Sequence, residues 1–247
     1  MKILASLPMY DWPEIRLFTD QFWAGLARHA GVMGVLNHSS SYDAIWRSPE
    51  LYFSQACGYP LTHEFKDLLN YVATPHYAAD GCEGTSYRSI IFAQKHSTLG
   101  DLRGVKAAIN SIDSMSGFLA LKLVFAPWSK SGDFFTTPLI TGSHLASMAA
   151  VQNGAADICA IDCICVALAK KYRPETLQGL VEIARSPSVP ALPFVTRAGD
   201  ISRLRLALHQ AFGDPKLQAA REALLLSDVS VLPDEAHDII LQLEASL

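Results

Sequence analysis

Short apolar runs ending in turn residues alternate along this chain with stretches in which apolar side chains recur every three or four positions. That alternation predicts strands followed by helices. The first run, Lys2 to Leu7, stops at Pro8, Met9 and Tyr10. Asp11 and Pro13 then suit a helix start, and Ile15, Phe18, Phe22 and Leu26 keep helical spacing as far as Gly31. Ser48, Pro49 and Glu50 resemble a second helix start, predicting a helix that ends near Gln55 to Gly58. Leu68 to Ala73 reads as a strand stopped by Thr74 and Pro75, and Ser89 to Ala93 as another after the glycine-bearing loop from Ala79 to Thr85. Leu99 to Gly104 leads into the apolar run Val105 to Ile109, which stops at Asn110, and a helical pattern opens at Phe118 after the turn residues Asp113 to Gly117.

The same unit then repeats. After the polar loop Ser129 to Thr137, Leu139 and Ile140 lead to Thr141, Gly142, Ser143 and His144, and a helix is predicted from Leu145 to Val151, closed by Asn153 and Gly154. Ala156 to Ile161 is a buried-strand candidate with Asp162 just past its end, and Cys163 to Lys171 returns as a helix. Repeated strand-then-helix units predict an α/β fold whose parallel sheet carries helices on its faces and binds ligands beyond the carboxyl ends of its strands. Asn110, the loop 141 to 144 and Asp162 then share one edge. Further on come strands at Val181 to Ala184 and Phe194 to Thr196, with a proline-rich, extended segment between them from Ser186 to Pro193. The remainder reads as helical, with starts at Asp200 or Ser202, at Asp214 and Pro215 (as far as Leu226), and at Asp234.

The stretch from Gly104 to Pro127 carries the first candidate chemistry. Ser114 and Ser116 come at the point where a helix exposes unpaired backbone N–H groups, which with the helix dipole favour a negatively charged guest. The plainer role for Ser114 is an N-cap, which serines in such positions usually fill. Thr141, Ser143 and His144 could supply further donors to the same anion, and Arg88 is the nearest candidate positive charge. Asp162 suits two roles. It can cap the helix that follows, or it can accept a hydrogen bond from a protonated ligand oxygen and turn away an oxyanion that carries no proton.

Composition narrows the class. With 247 residues, half of them hydrophobic and 18% charged, the chain is long enough for one large domain or two lobes with a sizeable core. A net charge of −4, with no basic patch interleaved with aromatics, argues against a nucleic-acid partner. No eighteen apolar residues run together, so membrane insertion is not expected. The start MKILASLPMYDWPE has no visible secretion signal: a cytoplasmic location is expected if the chain is complete, a periplasmic one if a signal was trimmed. Five cysteines, at 57, 82, 159, 163 and 165, form no disulfide framework, and their CxxxCxC triplet lacks a histidine at metal spacing, so neither metal nor cofactor is expected. There is no GxSxG elbow, no phosphate loop of Walker type and no HExxH, which leaves an enzymatic function without support.

Taken together, LGDLRG at 99 to 104, SIDSMSGF at 111 to 118, TGSHLASMAAVQNGAADICAID at 141 to 162 and ARSPSVPALPFVT at 184 to 196 resemble solute-binding proteins of the phosphate/phosphite/phosphonate ABC-transporter type. SQACGYPL at 54 to 61 and GCEGTSYRS at 81 to 89 resemble a branch of that family. The resemblance implies a type II periplasmic-binding-protein-like fold: two α/β lobes, each a mostly parallel sheet flanked by helices, with a ligand cleft between them. On this chain the lobes would be residues 1 to 96 plus 191 to 247, and residues 97 to 190, with Ser186 to Pro193 as the return crossing. It also implies that Ser114, Ser116 and Gly117 of the serine loop bind phosphoryl oxygens, that Thr141, Ser143, His144 and Asp162 line the same site, and that Tyr10 and Gln55 or Tyr59 face them from the first lobe. Met115 stands where the family usually has a threonine, which bears on whether phosphonate is the ligand. The implied function is non-enzymatic binding of a small anionic ligand for an ABC-transporter membrane subunit, by a monomer or weak dimer. A cytoplasmic ligand sensor and an enzyme on the same fold are the alternatives.

Overall fold

The computed structural model describes residues 3–94, 102–129 and 134–247. Lys2, the start of the 99 to 104 stretch and the middle of the loop from Ser129 to Thr137 lie outside the described residues.

In chain order, strand β1 (Leu4–Ser6) leads through a 3-10 turn at Pro8–Tyr10 to helix α1 (Arg16–Ala30). Helix α2 (Tyr42–Arg47), strand β2 (Leu51–Gln55), the short helix α3 (Gly58–Thr62) and strand β3 (Asn70–Tyr77) follow. Then come β4 (Ser86–Tyr87), β5 (Ser89–Ala93), β6 (Ala107–Ile109), a π-helical turn at Met115–Leu119 running into α4 (Ala120–Phe125), β7 (Leu139–Ile140), α5 (His144–Gln152), β8 (Ile158–Asp162), α6 (Cys163–Tyr172) and β9 (Val181–Arg185). The chain finishes with β10 (Val189–Pro190), β11 (Phe194–Thr196), α7 (Ile201–Gly213), α8 (Gln218–Ala223), β12 (Leu226–Ser230) and α9 (Ile239–Ala245).

These elements form two units. The first comprises Met1–Ala78, Glu83–Thr85 and Pro190–His237, the second Ala79–Cys82, Ser86–Val189 and Asp238–Leu247. By this division residues 79–82, 86–94 and the last ten fall with the second unit, where the sequence expectation had them in the first lobe, and Pro190 falls with the first. The first sheet has the order β1-β2-β11-β3-β12 and the second β7-β6-β8-β5-β9. Both are mixed. β1 with β2, and β6 with β7 and β8, pair in parallel, whereas β11, β12 and β5 run against their neighbours.

In the first unit α1 buries Phe22 and Leu26, as its sequence pattern predicts, and Trp23 beside them. Trp23 stacks on Phe53 of β2 at 5.8 Å, and Phe22 meets Phe212 of α7 edge to face at 5.7 Å. Such aromatic pairs contribute about 0.5–1.5 kcal/mol beyond the area they bury. The second unit has its own core, in which Ile91, Ile109 and Ile158 of adjacent strands meet Leu121 and Phe125 of α4.

Three elements depart from the sequence expectation. Leu51–Gln55, expected as helix after Ser48, is an interior strand between β1 and β11, and its residues are almost continuously buried. Ser48 instead closes a turn, its Oγ accepting from the Glu50 N–H at 3.3 Å, while the helix lies earlier, capped by Ser41. β3 runs through Pro75: its β11 partners reach only to Ala73, so Pro75 has β12 alone alongside, and its missing N–H costs no bond on the other side. β12 begins at Leu226, where the preceding helix was expected to end and no strand was expected to follow. Leu225 takes a left-handed φ of 58°, the conformation a glycine would normally supply, so the turn into this strand carried no glycine to mark it. At the start of α1, Asp11 is not the cap; it pairs with Arg16 at 3.1 Å and with His38 at 2.8 Å.

Candidate functional site

The second unit brings the serine loop and the 141 to 144 loop together at the ends of adjacent parallel strands. β6 ends at Ile109, whose carbonyl accepts from the Thr141 N–H at 2.8 Å, and the Asn110 carbonyl accepts from the Gly142 N–H at 3.0 Å. These two bonds sew the second loop to the first. Ser114 then enters the π-helical turn as its N-cap, its Oγ accepting from the Gly117 N–H at 2.9 Å. Gly117 has to be glycine for reasons of space: a Cβ there would lie 1.8 Å from Oδ1 of Asn110 and 3.1 Å from Oγ of Ser114.

Across the two loops, Ser116 Oγ and His144 Nε2 are 2.9 Å apart. Burial pushes His144 down to about 4, offset in part by the Ala160 backbone, so the imidazole is neutral at physiological pH. Its Nδ1 is buried without a well-formed hydrogen bond, and so is Asn110 Oδ1. Ser114 and Ser116 are themselves 4% and 6% exposed, whereas Met115 between them is buried at 1%, so its side chain does not stand in the solvent-facing part of the loop.

The hydroxyls of the second loop divide. Thr141 is engaged within the protein: its Oγ1 donates to the Ile109 carbonyl at 3.0 Å or the Ser143 carbonyl at 3.1 Å, and lies 2.7 Å from Ser147 Oγ. Ser143 caps α5, accepting from the Ala146 N–H at 3.1 Å. Asp162, at the end of the next strand, is buried and caps α6, with Oδ1 accepting from the N–H groups of Ile164 at 2.7 Å and Cys165 at 3.2 Å.

In the first unit, Tyr10 and Gln55 come together and Tyr59 does not join them. Gln55 Nε2 donates to Tyr77 Oη at 2.7 Å and to the Leu192 carbonyl at 2.9 Å, and Tyr10 packs edge to face on Tyr77 at 5.7 Å. The three line a cavity of about 30 Å³ together with Thr19, Phe22 and Phe194. That volume holds a water or two and is too small for a phosphoryl ligand. Tyr59 stacks on His63 instead, their rings 3.8 Å apart. Arg88, noted for its charge, enters the hydrogen-bond network through its carbonyl, which accepts from the Cys163 N–H at 3.1 Å.

Two residues matter here that the site expectation left out. Asn110 was legible as the residue that stops β6; that its side chain would close over Gly117 was not. Tyr77 lies past Pro75, where the strand was expected to have ended. Among the described residues no cluster of three or more His, Cys, Asp or Glu side chains could hold a metal ion, and no helix is long and apolar enough to cross a membrane.

Two α/β units with mixed sheets, one of them carrying hydroxyls and helix starts at its strand ends, define the architecture of a solute-binding protein. The chain belongs to the family described as ABC transporter, phosphonate, periplasmic substrate-binding protein, which it matches over residues 50–229. Solved structures with the same fold include PhnD1 from Prochlorococcus marinus in complex with methylphosphonate, at 14% identity and a TM-score of 0.79, covering 99% of this chain and 98% of that one. A binding-protein component of an ABC phosphonate transporter from Pseudomonas aeruginosa is 18% identical with a TM-score of 0.79, covering 98% and 85%. A Xanthomonas citri protein bound to ATP is 17% identical with a TM-score of 0.73, covering 98% and 95%. A comparison with curated proteins by sequence finds no match.

Proposed function

We propose that this chain binds a small phosphoryl-containing anion, of phosphonate, phosphate or phosphite type, without transforming it, and delivers it to an ABC-transporter membrane subunit. The observation that carries this reading is the orientation of the serine hydroxyls. Ser114 Oγ accepts a backbone N–H, which leaves its own proton to donate outward. Ser116 Oγ is 2.9 Å from His144 Nε2, and in the tautomer with the ring proton on Nε2 its own proton is likewise left for a guest oxygen. Ser143 is arranged in the same way by its cap to Ala146. Hydroxyl donors at helix starts, Ser114 and Ser143 with Ser116 beside them, suit an oxyanion.

A neutral His144 adds no net charge, so the site recognises the ligand by hydrogen bonds more than by ion pairing. Phosphonates and phosphates keep a proton on one oxygen over part of the physiological range, and that proton needs an acceptor. Asn110 Oδ1 is such an acceptor, and Asp162 could serve beside its capping role. Family membership and the methylphosphonate carried by the Prochlorococcus relative support the ligand class. The absence of catalysis belongs to the same proposal.

Titration calorimetry with methylphosphonate and inorganic phosphate tests it. Replacing Ser116 by alanine removes one hydroxyl donor to a charged acceptor, a loss of about 1.5–3 kcal/mol, or roughly ten- to a hundredfold in Kd. Unchanged affinity for every phosphoryl ligand that the wild-type protein binds would discard the serine cradle.

A further inference from the structure

We infer that Cys82 and Cys163 are a thiol–disulfide couple that fastens the loop Ala79–Thr85 to the first turn of α6. The two Sγ atoms are 3.3 Å apart with both thiols free, so bond formation needs an approach of only about 1.3 Å to reach the length of a disulfide, near 2.04 Å. The two residues are brought together from distant parts of the second unit, 81 positions apart in the chain.

The loop is built for this contact. Gly81 has φ +100°, and a Cβ there would lie 2.9 Å from Cβ and 3.2 Å from Sγ of Cys163, so a side-chain-bearing residue would push the loop off the helix. The residue before it, Asp80, is held by Arg185 through two bonds, Nη1 to Oδ1 at 3.0 Å and Nη2 to Oδ2 at 2.8 Å. On the helix side, Cys163 is fixed by its N–H donating to the Arg88 carbonyl and follows directly on Asp162, the α6 cap. Backbone restraints on both partners keep the sulfurs in register.

Accessibility orders the chemistry. Cys82 is half-buried and Cys163 is 1% exposed, so an oxidant meets Cys82 first. With glutathione disulfide as the oxidant, the Cys82 thiolate attacks one glutathione sulfur, breaking its S–S bond and releasing one glutathione thiolate. The Cys163 thiolate then attacks Cys82 Sγ and displaces the second glutathione. One protein disulfide forms, two electrons pass to the glutathione disulfide, and the two thiol protons end on the two glutathiones released. Hydrogen bonding to Cys163 and burial push the Cys82 thiol up, so the exchange speeds up with rising pH.

The full chain, incubated with glutathione disulfide at mildly alkaline pH and mapped by mass spectrometry after alkylation, tests the couple. The expected result is a single cross-linked peptide joining Cys82 to Cys163, a free-thiol titre lower by two than the five of the reduced chain, a raised melting temperature, and reversal of all three by dithiothreitol. Cys82→Ser should abolish the cross-link, Cys163→Ser should leave a lasting glutathione adduct on Cys82, and Cys57→Ser should change neither. An unchanged thiol titre, a lasting adduct on Cys82 of the wild-type chain, or a cross-link between any other pair would overturn the assignment.

Discussion

Gly117 is the most constrained single position in the candidate site. Its neighbour Asn110 already occupies the space a methyl group would need, at 1.8 Å, and Ser114 closes the other side. Gly117→Ala should therefore destabilise the second unit by about 1–3 kcal/mol, because the strand end and the serine loop must separate. Read as a melting temperature, that is a fall of several degrees, roughly 2–4 °C per kcal/mol for a chain of this size. A variant that melts with the wild type would show that Asn110 swings aside freely. The pattern SxSG was legible in the sequence as a helix start with hydroxyls. What set the glycine was a side chain seven positions earlier, across the turn, and such a contact has no periodicity to betray it.

Among elements, those whose length and punctuation agreed were legible, and those whose punctuation misled were not. α5, β8 and α6 follow from Ser143, from the apolar run ending at Asp162 and from the cap that Asp162 provides. β2 was hidden behind a serine, proline and glutamate that suit a helix start, and β12 behind a leucine in a left-handed conformation. Both hidden strands pair with partners far away in sequence, and tertiary pairing overrode local propensity.

The link between the start of α1 and the loop after it gives a pH signature at the same scale. His38 is held between Asp11 at 2.8 Å and Asp20 at 2.9 Å. Desolvation lowers its pKa, but the hydrogen bonds to Asp20 and Asp11 and their charges outweigh it, so the net shift is upward from 6.5. A raised value in the folded state means that the stabilisation is fully present below the unfolded pKa and is lost as pH rises through the folded one. The melting-temperature deficit of His38→Ala should therefore be larger at about pH 5.5 than at about pH 8.5. An equal deficit at both would assign the bridge no net charge coupling.

For the whole molecule, the family sets the expectation that ligand binding stabilises the folded chain. A phosphoryl ligand present at a hundred times its Kd should add about 2.7 kcal/mol to the unfolding free energy. A thermal-shift panel of phosphate, phosphite, alkylphosphonates and aminoalkylphosphonates, with sulfate and short carboxylates as controls, reads this directly. A shift with sulfate equal to that with any phosphoryl compound would remove the role given to Asn110 and Asp162, which need a ligand proton to accept. The overall class was legible because its motifs are spread in order along most of the chain. The candidates of the first unit were not, since Tyr10, Gln55 and Tyr59 sit in short segments that core packing explains equally well.

β11 lies between β2 and β3 in the first sheet, yet it is made more than a hundred residues after either of them. As the chain emerges from the ribosome, β2 and β3 are finished early and must wait with a one-strand gap, their inner edges unpaired, while the entire second sheet is synthesised. Exposed edges of this kind favour wrong pairing and recruit chaperones. The second sheet, whose strands are all complete by Arg185, can close before the first. The strand that joins β2 to β3 is thus synthesised after every strand of the second sheet, although the first sheet begins the chain.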